Sequence, residues 1–225
     1  MGRLFKTVLG KASGKVGDFV FRIVDGKVII ASHIGTNEIS KSPECVNNRK
    51  RFAAVLNFAS AVNKIPDLKI IWNKSRKSAK SGYNKIISVN TKLVEDYQIS
   101  KQNIVTPDGF SLFNLDAVLT AQNAVVSFSL SDDSVIYSGK KFNACLVITL
   151  SNPVSKLNKT SFSFSNVVPD VVVDSTVSVV SFSLKNQKKI IDKYRKAIVF
   201  FALSNTEQNK PLCSDSFAFE FNFKK

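Results

Sequence analysis

Glycine and lysine recur together in LGKASGKVGDFVFRIVDGKVIIAS, residues 9–32, and that combination is the first in the chain with a chemical meaning. A Walker A loop, G-x-x-x-x-G-K-[ST], wraps phosphates in backbone N–H groups, reaches them with the lysine and holds magnesium with the hydroxyl. Here Gly10 and Gly14 stand one residue too close, and Val16 occupies the hydroxyl position. Such a loop also opens a helix, whereas this one runs into the strand-like VGDFVFRIV. A nucleotide cradle is therefore not expected. Phe19, Phe21 and Ile23 alternate with Val20, Arg22 and Val24, Asp25-Gly26 offers a tight turn, and KVIIAS returns, which is the pattern of a β-hairpin.

Other constellations are as sparse. His33 is the only histidine, so any Ser-His-Asp or Cys-His arrangement would pass through it, and no G-x-S-x-G elbow supplies a nucleophile. Cys45, Cys145 and Cys213 are odd in number and widely spaced, with neither C-x-x-C nor a disulfide framework. They read as thiols of a reducing compartment or as small buried hydrophobes. With one histidine they make a poor zinc set. The adjacent acids Asp132-Asp133 sit in SLSDDSVIYSG, a turn between strands, without the burial and opposition that acid-base work needs. No catalytic residue, metal ligand or cofactor is expected.

Charge is more informative. The net charge is +15. Residues 1–92 hold 18 Lys and Arg against 5 Asp and Glu, a net of +13, and residues 93–225 hold 14 against 12, a net of +2. This excess points to an electrostatic partner for the first part of the chain. The candidate contacts are Arg49, Lys50, Arg51, Lys74, Arg76, Lys77, Lys80 and Lys85, facing either nucleic acid or a protein subunit. Trp72 and Tyr83 are available to stack on bases, but they share helical spacing with Ile71 and Ile87 and fit a core better.

The elements that carry these residues can be read from periodicity. In KSPECVNNRKRFAAVLNFASAVNKIP, Ser42 is an N-cap, Pro43 stands at the first helical position, and the helix stops at Lys64 before Pro66. Val46, Phe52, Val55, Leu56, Ala59 and Val62 form its apolar stripe, with Asn47, Lys50, Arg51, Asn57 and Lys64 opposite. A short helix is expected around Leu68 to Asn73 and a longer one from about Lys77 to Leu93. From Ile99 the period becomes two. AVVSFSLS, FNACLVITLSN, TSFSFSN, STVSVVSFSLK, KAIVFFALSN and DSFAFEFNF read as strands, with ACLVITL and AIVFFAL, apolar on both faces, at the centre.

The expected fold is α+β: an N-terminal β-hairpin plus two or three helices over residues 1–96, then an antiparallel immunoglobulin-like β-sandwich over 97–225. A protease-sensitive link is expected near VEDYQISKQNIVTPDGF, around Pro107-Asp108-Gly109. No stretch is apolar enough to span a membrane and no secretory signal is recognisable, so a cytoplasmic or particle-assembled protein is expected.

The opening LGKASGKVGDFVFRIVDGKVIIAS, with NRKRFAAVLNFAS, SGYNKIISVN and KAIVFFALSNTEQNKPLCSDSFAF, resembles a family of uncharacterised proteins found mainly in Bacteroidota. Its members open with L-G-x-x-S-G-K-V-G and an aromatic hairpin, then carry a basic helix and an immunoglobulin-like β region. They often have tryptophan and glycine in the hairpin, where this chain has FVFRIVDGK, so a role for that tryptophan does not transfer. The resemblance implies a shared fold and no activity. The expected role is a non-enzymatic structural or interaction protein, a subunit of a bacterial or phage-derived assembly docking through its basic N-terminal region. Nucleic-acid binding through the basic helices is the alternative.

Overall fold

The structure, a computed structural model, describes residues 2–4, 13–24, 26–32, 40–174, 176–207 and 210–223. His33, Gly10, Lys11 and Asp25 lie outside the described residues. The chain forms two compact units, Met1–Ser42 and Pro43–Lys225.

The first unit is a four-stranded antiparallel sheet of β1 (Gly2–Leu4), β2 (Gly14–Val16), β3 (Phe19–Val24) and β4 (Lys27–Ser32), ordered β1-β4-β3-β2. The expected hairpin is present as β3 and β4, with Gly26 at φ 74° in the turn, a conformation that glycine adopts without strain. Residues opposed across an antiparallel ladder share a face. The registers Val16↔Phe19↔Ser32, Phe21↔Ile30 and Ile23↔Val28 therefore make one face apolar. The registers Lys15↔Val20↔Ala31, Arg22↔Ile29 and Val24↔Lys27 make the other mixed and basic.

The second unit is mixed α and β with antiparallel sheets. Its helices are α1 (Pro43–Asn63), α2 (Pro66–Lys74) and α3 (Gly82–Asn90), the last continued by a 3-10 turn at Thr91–Leu93. Pro43 begins α1 as the Ser-Pro signal requires. The helix expected from about Lys77 starts later, at Gly82, because the Ser81 hydroxyl accepts from the Asn84 N–H (3.3 Å) and caps it there. Residues 75–81 have no apolar period to extend the helix backwards.

Two sheets follow. One joins β5 (Leu112–Leu119), β6 (Asn123–Leu130) and β9 (Ser178–Ser183) in the order β5-β6-β9. The other has β10 (Tyr194–Asn205) paired with β7 (Lys141–Pro153), which pairs with β8 (Ser161–Val172). On its free side β10 also pairs with β11 (Leu212–Cys213) and β12 (Phe217–Asn222). Each of the six expected runs supplies a strand.

The two faces of β7 and β10 explain why both parities are apolar. Phe142, Leu146, Ile148, Val199, Phe201 and Leu203 join Val126, Phe128 and Phe182 of the other sheet in one core, where the Phe128 and Phe201 rings lie 5.2 Å apart. Cys145, Val147, Ile198, Phe200 and Ala202 face the helices in a second core with Val55, Phe58, Leu68, Trp72 and Ile86. The Phe58 ring meets Phe200 edge-on at 5.0 Å. A charge placed in the buried stretches 144–151 of β7 or 197–204 of β10 would have no aqueous side to turn to.

This shared core changes the expected organisation. A boundary was expected between residues 96 and 97, but the compact units divide at Ser42, and the helices belong with the sheets they cover. The expected link near Pro107-Asp108-Gly109 is stitched down. The Ser216 hydroxyl accepts from the N–H groups of Val105 and Thr106 (both 2.8 Å), and Asp215 accepts from Gly109 N–H (3.0 Å). The Phe110 N–H donates to the Cys213 carbonyl (3.0 Å), and the Phe110 carbonyl accepts from the Asp215 N–H (2.9 Å). A side chain at Gly109 would run into the Ser214 backbone. Ile99, Asn103 and Val105 are buried, so this segment offers a protease little backbone.

Candidate interaction surfaces

The eight basic candidates fall on separate elements, and one of them is buried. Arg49, Lys50 and Arg51 lie on α1, and Lys74, Arg76, Lys77 and Lys80 lie at the end of α2 and in the connection to α3. Lys85 is removed from either set. It is 7% exposed, and its Nζ donates to the carbonyls of Asn73 (3.0 Å) and Ser75 (2.7 Å). These are carbonyls at the C-terminal end of α2, where a cation meets the negative end of the helix dipole. Lys85 is thus a tie between α2 and α3, not a contact residue. Lys77 is half-committed, pairing with Asp108 at 3.1 Å. Lys50, Lys74, Arg76 and Lys80 are exposed.

Of the two stacking residues one is internal and the other half-buried. Trp72 is fully buried and its indole N–H donates to the Val105 carbonyl (2.8 Å). Tyr83 is half-buried against the helix-side core. Trp72 presents no ring face to a base.

On α1 the expected apolar stripe is only half used. All its buried residues fall in the second half, Ala54 to Val62, and include Phe58, which belongs to the core while Phe52 is 50% exposed. Phe52, Ala53 and Leu56, with Thr91 beside them, line an open groove of about 520 Å³ edged by Asn48, Arg49 and Arg51. The Arg51 guanidinium lies 5.9 Å from the centre of the Tyr97 ring, and the Tyr97 hydroxyl accepts from Asn47 Nδ2 (3.0 Å). Tyr97 is presented by a two-residue turn in which Asp96 and Tyr97 both have positive φ, 46° and 59°, closed by the Glu95–Gln98 pair. The sequence carries no Gly or Asn signal for that turn.

One polar cluster has a catalytic look. Asp67 at the start of α2 accepts from Asn143 Nδ2 (2.7 Å), the Ser204 hydroxyl (3.0 Å) and the Thr206 hydroxyl (2.9 Å), and Cys145 Sγ lies 3.2 Å from Ser204 Oγ. No imidazole takes part among these groups. Burial pushes the Cys145 thiol up to about 12, so no thiolate forms at neutral pH. The adjoining cavity is only about 20 Å³. This cluster fastens α2 to β7 and β10 and leaves no room for a substrate. Burial likewise raises Cys213 to about 12. Asp132 and Asp133 are exposed in a 3-10 turn, and no group of three or more His, Cys, Asp or Glu residues suited to a metal ion occurs among the described residues.

The surface that the charge count passed over is in the first unit. On its apolar face Val16 is 66%, Phe19 54% and Ile23 44% exposed, while Val28 is the one buried hydrophobic residue among the described residues of that unit. Its period-two alternation was legible, but only the strand registers show that the three apolar rows line up on one side. Among the described residues of this unit Val28 alone is buried, so much of its apolar face meets water.

No protein-family model matches the chain, and no curated protein matches it. No helix among the described residues is long and apolar enough to cross a membrane.

Proposed function

We propose that the protein is a non-enzymatic interaction protein, a subunit of a bacterial or phage-derived assembly, that docks on a neighbouring protein through the apolar face of its N-terminal sheet. The observation that carries this reading is the exposure of Val16, Phe19 and Ile23 together on a unit that buries Val28 alone among its described hydrophobic residues. Covering that face removes apolar surface from water at about 25 cal/mol per Å², the ordinary driving force of association. Lys15, Arg22 and Lys27 on the opposite face stay in water or meet acidic groups at the rim. The larger unit is the framework, and we assign its two sheets to an immunoglobulin-like sandwich. In favour stand the strand order β5-β6-β9 against β12-β10-β7-β8, which in immunoglobulin lettering reads A-B-E against G-F-C-C′, and the core between them. The resemblance to the Bacteroidota family is in keeping with this assignment and adds no activity.

Nucleic-acid binding ranks second, supported by the +13 of residues 1–92 and by exposed Lys50, Lys74 and Lys80. It has lost Lys85 and the Trp72 ring to the interior. A salt titration of duplex DNA binding separates the two readings, because each neutralised phosphate contributes a slope of about −0.9 in log affinity against log salt. The docking reading expects weak, sequence-indifferent binding that vanishes near about 0.15 M salt. Tight binding that persists at about 0.2 M salt, with a slope flattened by Lys50→Glu, Lys74→Glu and Lys80→Glu together, would place nucleic acid first.

A further inference from the structure

The near-neutral balance of residues 93–225 hides a lysine cluster. At the end where β7 starts and β10 finishes, with Asn143 opposite Ser204, the exposed acids Asp132, Asp133, Asp170 and Glu207 are mixed with the exposed Lys140 and Lys141. At the other end Pro153 pairs with Tyr194, and the Val154 N–H donates to the Lys193 carbonyl (2.8 Å). That bond places the β7–β8 turn beside the β9–β10 connection. The turn brings Lys156 and Lys159, and the connection brings Lys185, Lys188, Lys189 and Lys193, all of them exposed. Across residues 153–160 and 184–193 the only acid is Asp192, and the exposed Asp96 lies beside Thr160.

At the tip of this basic end is a leucine. Leu157 is 98% exposed and Val154 46%. The turn is closed by Asn158 N–H donating to the Ser155 carbonyl (3.1 Å) and Leu157 N–H to the Ser155 hydroxyl (3.3 Å), so Leu157 is held outwards by the backbone. A nucleic-acid backbone would engage the lysines and leave Leu157 idle. A bilayer surface uses both parts: the apolar tip enters the headgroup boundary while the ammonium groups lie level with the lipid phosphates.

We propose that this end of the second unit binds the surface of an anionic lipid bilayer, with Leu157 as the inserted tip and the six surrounding lysines as the electrostatic contact. The contact is peripheral and uses a different surface from the docking sheet, so either reading can fail without the other.

Vesicle sedimentation tests it on the full chain at about 0.1 M salt, with vesicles of phosphatidylcholine alone or containing about a third phosphatidylserine. Sedimentation is expected with the anionic vesicles and not with the neutral ones. Each lysine near a charged surface is worth about fivefold in partitioning, so Lys188→Glu with Lys189→Glu should weaken binding by at least about 25-fold. Leu157→Ser should weaken it by about tenfold, the loss of one buried aliphatic side chain. All three positions are exposed, and an unchanged thermal midpoint shows that each variant is folded. No sedimentation with anionic vesicles would overturn the proposal. So would lysine dependence with no effect of Leu157→Ser, accompanied by equal competition from duplex DNA, since that pattern belongs to a nucleic-acid backbone contact.

Discussion

Trp72→Ala is expected to destabilise the protein by about 3–5 kcal/mol, the range for truncating a large aromatic residue in a close-packed core. Trp72 is fully buried in the helix-side core, and its removal opens a cavity walled by α1, α2 and α3 that a backbone held by the sheet cannot fill. The change also orphans the Val105 carbonyl, the acceptor of the indole N–H at 2.8 Å. For a chain of this size the thermal midpoint should fall by roughly 10 °C or more. Because Trp72 is the only tryptophan, the measurement is made by circular dichroism. Trp72→Phe keeps most of the volume and loses the hydrogen bond, with a cost of about 1–2 kcal/mol. A fall of less than about 1 kcal/mol for the alanine variant would mean that the ring is not packed between the helices.

Asn90→Leu should cost about as much for a different reason. Asn90 is fully buried, and its Nδ2 donates to the carbonyls of Ile86 (3.0 Å) and Ile104 (3.1 Å). Its Oδ1 accepts from Asn103 Nδ2 (3.0 Å) and from the Ile104 N–H (2.8 Å). Leucine matches the shape and serves none of the four. Two donors and two acceptors then lose a partner, and each buried group left unsatisfied costs about 1–3 kcal/mol. A net loss of about 3–5 kcal/mol is expected by denaturant unfolding, followed by the emission of buried Trp72. Asn90→Asp keeps the acceptor and forfeits the donor, so it should also destabilise. A near-neutral Asn90→Leu would contradict the network that holds residues 99–106 to α3.

The same residues show what sequence could convey. The Ser42-Pro43 start, the Asp25-Gly26 hairpin and the doubly apolar ACLVITL and AIVFFAL are local patterns with one physical reading each. The tie-down of residues 105–111 is not local, since its partners Ser214, Asp215 and Ser216 are about a hundred positions away in the chain and are ordinary polar residues in sequence. Phe52 and Phe58 illustrate the same limit, because both fit an amphipathic helix and only the position of the sheet decides which one is buried. Lys85 reads as surface charge until the carbonyls of Asn73 and Ser75 are seen around it. The candidate contacts were therefore legible as a charge excess, whereas the apolar face of the N-terminal sheet emerged from strand register.

That face carries the docking proposal, and a photo-cross-linking scan along β3 tests it most directly. A photo-reactive residue is placed in turn at positions 19 to 24 of the full chain, in the cells that make the protein, and the adducts are identified by mass spectrometry. Adducts to one partner protein are expected from positions 19, 21 and 23, the apolar row, and not from 20, 22 and 24, giving yields with the period-two alternation of the strand. Equal yields from both rows, adducts to nucleic acid, or no protein adduct from Phe19, Phe21 and Ile23 would contradict it.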